Sequence, residues 1–88
     1  MIDPGQLIKR IDPVYPKLAG LTGVSGTVKL HAIISKEGAI ESLSVISGHP
    51  MLVPAAMDAV AQWRYRPYLL NGKAVEVETF ITVNFRRP

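Results

Sequence analysis

The stretch that most constrains this chain is Leu52 to Pro67, where an alanine-rich helical pattern runs straight into Trp63-Arg64-Tyr65-Arg66-Pro67. Leu52, Ala56, Ala59, Val60 and Trp63 recur at the three-to-four spacing that places them on one helical face. Asp58 and Gln62 fall on the opposite, wet side. The small alanines let the helix lie close to whatever it covers, and a tryptophan side chain such as Trp63 buries about 150–250 Å². Pro54 fits only in the first turn, where its missing N–H has no partner to lose. Beyond Trp63 the period changes. Pro67 forbids further helix, and residues 64–68 alternate as an extended segment does. A one-sided helix this short is not stable alone, so it must cover a sheet built from strands on both sides of it.

The 88 residues make one domain, and a chain this short buries roughly 60–65% of the surface exposed when unfolded. No apolar run approaches the roughly 18 residues of a membrane span, and no signal-peptide pattern opens the chain. Any targeting or anchoring segment is therefore expected upstream. The absence of cysteine excludes disulfides and thiolate metal sites and suits an oxidising compartment. A net charge of +3, spread from Lys9 to Arg87, is a solubility feature rather than a nucleic-acid footprint. His49 and Asp58 have no nucleophile elbow or glycine-rich oxyanion loop beside them, so no catalytic residue is assigned. His31 and His49 lack further ligands at metal spacing, and neither metal nor cofactor is expected.

In chain order, Met1–Gln6 reads as a loop, and Leu7–Ile11 as a short extended piece; residues 1–9 are taken as an extension or linker remnant and 10–88 as the domain. Asp12 and Tyr15 precede prolines and are held extended. Pro16 opens one or two helical turns ending near Gly20 or Gly23. In Thr27–Ser35, Val28, Leu30, Ala32 and Ile34 point one way, and Lys29, His31 and Ile33 the other. Ser35-Lys36-Glu37-Gly38 is a hairpin loop. The return strand Ala39–Ser47 slips phase, which predicts a bulge near Glu41-Ser42. Leu70-Asn71-Gly72-Lys73 predicts a type I′ turn. A last strand then runs from Val75 to Phe85, with Val75, Val77, Thr79, Ile81, Val83 and Phe85 on one face. Glu76, Glu78, Phe80, Thr82 and Asn84 occupy the other. Phe80 and Ile33 are apolar residues on that outward face, either isolated or a sign that it is not wholly solvated. The predicted fold is α+β: a three-stranded antiparallel sheet with a short N-terminal helix and a longer helix on one face, a β-β-α-β core. A right-handed crossover lays the third strand beside the first. Both helices cover a face built by Val28, Leu30, Leu43, Val45, Val77, Ile81 and Val83.

These landmarks resemble, in family order, the C-terminal domain of the energy transducer TonB. They are Tyr15-Pro16, Gly26-x-Val28, the Glu37-Gly38-x-Ile40 hairpin, the alanine-rich helix into Trp63-Arg64-Tyr65-Arg66-Pro67, Gly72, and an alternating strand closing on Phe85. The resemblance spans about residues 10 to 87. It implies a non-enzymatic periplasmic domain of an inner-membrane-anchored protein, with a proline-rich linker upstream. The domain is expected to bind the TonB-box peptide of outer-membrane transporters by strand addition, and to transmit energy from a proton-driven inner-membrane motor complex through its anchor for nutrient uptake. The implied partner-binding residues are Arg10, Asp12, Tyr15, Val75, Glu76, Val77, Glu78, Thr79, Phe80, Ile81, Thr82, Val83 and Asn84. Tyr15, Pro16, Gly26, Gly38, Trp63, Tyr65, Pro67, Gly72 and Phe85 carry the structural pattern. The sequence departs from the family at Asp12, where a glutamine that touches the peptide is usual, and at Val53, which takes the place of a polar helix cap. The cap change is expected to weaken the helix start by about 1 kcal/mol unless Pro54 compensates. The alternative reading is a self-associating domain that forms a homodimer, by pairing its own edge strand or by swapping, without coupling to a transporter. Nucleic acid is not an expected partner, because the sheet offers no aromatic platform.

Overall fold

The computed structural model describes residues 7–86. Along the chain lie β1 (Leu7–Lys9), α1 (Lys17–Thr22), β2 (Gly26–Ile34), β3 (Ile40–Ser47), α2 (Val53–Val60), β4 (Arg64–Tyr65), β5 (Tyr68–Leu70), β6 (Lys73–Val75) and β7 (Val77–Phe85). The main sheet has the order β3-β2-β7, antiparallel throughout, so the last strand does return beside the first strand of the hairpin. Alternation along β2 buries Val28, Leu30, Ala32 and Ile34 completely or nearly so. From β7 come Ile81, Val83 and Phe85, and from α2 come Ala56, Ala59 and Val60, with Leu52 and Trp63 at its two ends. These side chains close one core, to which α1 contributes Ala19. Burial of each large aliphatic side chain there is worth roughly 1.5–3 kcal/mol.

α1 starts on Pro16 and ends on Gly23, whose left-handed backbone lets its N–H reach the Ala19 carbonyl. The start of α2 differs from expectation. Val53 is its first helical residue, and the polar groups that serve it lie one turn earlier. The His49 carbonyl accepts from the N–H groups of Leu52 (2.9 Å) and Val53 (3.1 Å), while His49 Nδ1 accepts from Met51 N–H at 3.0 Å. The apparent loss of a cap at Val53 is thus met by a histidine turn. At the other end, Arg64 Nη1 donates to the carbonyls of Trp63 (2.7 Å) and Ala61 (3.3 Å), placing a cation where the helix dipole is negative.

The predicted bulge is present: Ile33 pairs with Ser42 and Ile34 with Ile40, leaving Glu41 as the extra residue. A second bulge, at Ile46 between Val45 and Ser47, was not legible from periodicity. Val45 pairs with Leu30 yet stays 44% exposed, so it is not the core residue expected; it stands next to the bulge at Ile46, where β3 departs from regular pairing. The expected strand Val75–Phe85 is broken. Val75 is drawn into a hairpin opposite Tyr68, whereas Val77 enters the main ladder opposite Ile34, and Glu76 is the joint between the two sheets. The hairpin turn has positive φ at both Asn71 (52°) and Gly72 (80°), as type I′ requires. Finally, Leu7–Lys9, within the stretch read as an extension, pair with Tyr65 and Arg64. The expectation of a loop at Met1–Gln6 lies outside the described residues.

Candidate partner-binding edge

β7 pairs with β2 through nine consecutive residues, Gly26↔Phe85 to Ile34↔Val77, without a shift of register. Its other flank has no strand beside it among the described residues. The opposite edge of the sheet, β3, carries two bulges that bend and twist it. Of the two edges, only β7 is straight.

Backbone direction on β7 follows from β2. The Ser35 N–H donates across the hairpin to the Ala39 carbonyl at 2.8 Å, so the backbone groups of Ser35, Ile33 and His31 turn towards β3. Those of Ile34, Ala32, Leu30 and Val28 then turn towards β7, because successive residues of a strand alternate. Their partners are Val77, Thr79, Ile81 and Val83. The N–H and C=O groups of Glu78, Phe80, Thr82 and Asn84 therefore aim outwards along the unpaired edge. The inferred binding set thus divides. Val77, Thr79, Ile81 and Val83 commit their backbone to β2 and turn their side chains inward, while Glu78, Phe80, Thr82 and Asn84 face outward. Val75 and Glu76 stand apart in the hairpin and the joint.

The outward side chains are organised. His31 Nε2 lies 2.8 Å from Glu78 Oε2, and the His31 and Phe80 rings are 5.3 Å apart. Thr27 Oγ1 donates to Asn84 Oδ1 at 2.9 Å. At the joint, Glu76 holds the Glu41 carboxyl above the usual glutamate range, first because a hydrogen bond between the two favours the protonated acid and then by charge repulsion, with slight desolvation and the Glu37 charge adding in the same direction.

At the Phe85 end the edge meets a cleft of about 310 Å³, lined by Arg10, Asp12, Tyr15, Val83, Asn84, Phe85 and Arg86 among others. The inferred trio Arg10, Asp12 and Tyr15 is thus brought to the end of the edge strand. Three contacts hold it there. Trp63 Nε1 donates to the Ile11 carbonyl at 2.9 Å, the Arg10 guanidinium sits 5.5 Å from the centre of the Trp63 ring, and Tyr15 donates its hydroxyl to the Val24 carbonyl. The Tyr15 ring also meets Phe85 edge-on, with centroids 5.8 Å apart. Arg10 and Asp12 approach to 3.5 Å, but both are well exposed, so this ion pair is weak. Arg86 and His31 were not among the sequence candidates. The outward position of His31 was readable from alternation, whereas nothing in the spacing placed Arg86 in the cleft.

Gly38 fixes the joint between hairpin and core. Its carbonyl accepts from Tyr65 N–H at 2.8 Å, and a Cβ at this position, where φ is +87°, would lie 1.8 Å from the Tyr65 carbonyl oxygen. Tyr65 is itself buried, which raises its hydroxyl pKa. Pro67 follows, exposed, between β4 and β5.

A three-stranded antiparallel sheet, helices on one face and one straight unpaired strand define an open-edged α+β domain. Comparison with known proteins narrows the class. The family model for the Gram-negative bacterial TonB protein C-terminal region matches residues 11–86, and the chain belongs to that family. It is 28% identical over 85 residues to protein TonB of Vibrio cholerae, covering 94% of this chain and 35% of that protein. It is 36% identical over 69 residues to protein TonB of Pseudomonas aeruginosa, covering 75% of this chain and 20% of that one. The solution NMR structure of the P. aeruginosa TonB CTD superposes with a TM-score of 0.76 at 29% identity, covering 91% of this chain and 83% of the other. The chain therefore spans about a third or less of these two full-length relatives.

Proposed function

We propose that this domain captures an extended peptide, the TonB box of an outer-membrane transporter, as an additional strand on the outer edge of β7. The observation that carries this reading is the unbroken nine-residue ladder of β7 with β2, which leaves a straight opposite flank. Along it the outward backbone groups of Glu78, Phe80, Thr82 and Asn84 offer donors and acceptors to a guest main chain. The cleft with Arg10, Asp12, Tyr15 and Arg86 receives the part of the guest that runs past Phe85. Recognition through main-chain pairing tolerates varied sequences, so one domain serves several transporters. As in the family, the role is mechanical rather than catalytic. The domain works in the periplasm, tied to an inner-membrane anchor and its proton-driven motor complex. Pulling along the strands loads many hydrogen bonds in shear at once.

The test is titration with synthetic N-terminal peptides of transporters. Glu78→Pro or Thr82→Pro removes an outward N–H and sets a ring on the edge, and each is expected to lower affinity at least about tenfold while the domain stays folded. Thr79→Pro and Ile81→Pro remove bonds to β2 and should unfold it instead. Unchanged affinity in a folded Thr82→Pro variant defeats the proposal. Concentration-dependent sedimentation abolished by the same variant, with no peptide affinity in the parent, identifies a second copy as the guest.

A further inference from the structure

The β5–β6 hairpin does nothing for the core or the peptide edge. Tyr68, Leu69 and Leu70 are 42%, 60% and 57% exposed, and the space beside Gly72 is open. Successive side chains of a strand point to opposite faces, so Tyr68 and Leu70 share one face of the ribbon and Leu69 stands on the other. A ribbon that docks on a protein surface needs one apolar face; this one carries a leucine on each, with Lys73 opposite Leu70 on one of them. An isolated two-stranded hairpin is also marginal by itself. The charge around it has one sign. From Arg64 to Val75 the chain carries Arg64, Arg66 and Lys73, all exposed, and no acidic residue. The next carboxylate along the chain is Glu76, at the root of the hairpin.

We propose that the tip of this hairpin seats on an anionic phospholipid surface. Leu69 and Leu70 enter the boundary between headgroups and acyl chains, Tyr68 lies at headgroup depth, and Lys73 and Arg66 meet the lipid phosphates. A bilayer accepts apolar side chains from all sides of a wedge, which explains why exposed leucines stand on both faces of the ribbon. Glu41 and Glu76 at the root stay in water and limit how deep the wedge goes. The proposal is independent of the peptide-binding reading, since the hairpin and the β7 edge share no residue.

The experiment is flotation of the 88-residue chain with phosphatidylcholine vesicles, with and without phosphatidylglycerol. The chain should float with the anionic vesicles and remain behind with the neutral ones. Leu69→Ser with Leu70→Ser should lower partitioning at least about a hundredfold, and Lys73→Glu about tenfold. All three residues are exposed, so the fold should survive, and the peptide affinity of the variants should equal that of the parent. Failure of the parent to float with anionic vesicles overturns the proposal. So does flotation unaffected by the double serine variant, which reduces the effect to diffuse charge attraction. Self-association lost in the same variant, without flotation of the parent, assigns the patch to a second copy and overturns it too.

Discussion

Gly38→Ala should be the most damaging single-methyl change in the chain. Two separate costs arise at this position. With φ at +87°, a Cβ meets the backbone repulsion that costs an L-residue about 1–2 kcal/mol. It also points at the Tyr65 carbonyl oxygen, 1.8 Å away, and that atom belongs to a backbone clamped between β1 and the hairpin loop. Making room means parting Gly38 from Tyr65, which forfeits a 2.8 Å hydrogen bond and displaces the strand after Trp63. Overpacking of a tight site costs about 1–3 kcal/mol and the hydrogen bond about 0.5–1.5 kcal/mol. The whole penalty is thus roughly 3–6 kcal/mol, against a total stability of roughly 4–13 kcal/mol for a domain this size. Gly72→Ala is the control. Its φ is +80°, but nothing lies within 4 Å of its would-be Cβ, so only the backbone cost applies, about 1–2 kcal/mol. Urea unfolding of the two variants beside the parent separates the terms, with Gly38→Ala falling short of Gly72→Ala by about 1–2 M in midpoint. Coincident midpoints would refute the claim that the Gly38–Tyr65 contact ties hairpin to core.

Trp63→Phe keeps an aromatic ring in the core but removes the donor to Ile11; it should cost roughly 1–3 kcal/mol in urea unfolding and speed amide exchange at Arg10, Ile11 and Asp12, which lose their tether. Tyr15→Phe leaves the Val24 carbonyl without its hydroxyl donor and should destabilise by about 1 kcal/mol in the same assay. The Glu41–Glu76 pair makes a prediction about pH. Because the folded-state pKa of Glu41 is raised, the penalty vanishes below the ordinary carboxylate range, where Glu41 is protonated folded or unfolded. It sets in as pH rises through the raised value, so stability falls over that interval. Glu76→Gln should flatten this fall and return the NMR titration of Glu41 towards the ordinary glutamate value; because both carboxylates are exposed, the effect should shrink in high salt.

Side-chain periodicity made most of the layout readable, and competition between local pairings hid the rest. Val28, Leu30, Ala32 and Ile34 alternate without fault, and β2 lies where they place it, buried on its inner face. The three-to-four spacing from Leu52 to Trp63 likewise identified the face of α2 that meets the sheet. The phase slip at Glu41 gave one bulge. Ile46 escaped because it adds an apolar residue to an already apolar run, which leaves no visible break in the pattern. Glu76 escaped for a different reason. Val75 and Val77 continue a perfect alternation, and only the demand of the Asn71-Gly72 turn for a partner strand parts them. Inward-facing Thr79 and Ile81 belonged to the same readable strand as Phe80, yet the direction of each backbone group depends on pairing with β2, which spacing cannot show. The cleft is less readable still, since Arg10, Tyr15 and Arg86 come from opposite ends of the chain and meet only because Trp63 anchors Ile11.

The most direct test of strand capture is amide hydrogen exchange, residue by residue, on the labelled domain with and without a saturating transporter N-terminal peptide. Glu78, Phe80, Thr82 and Asn84, fast in the free domain, should become protected together, while Thr79, Ile81 and Val83, already bonded to β2, should change little. Protection that appears on β3 or α2 instead, or none on the outward set when the peptide is bound, contradicts it.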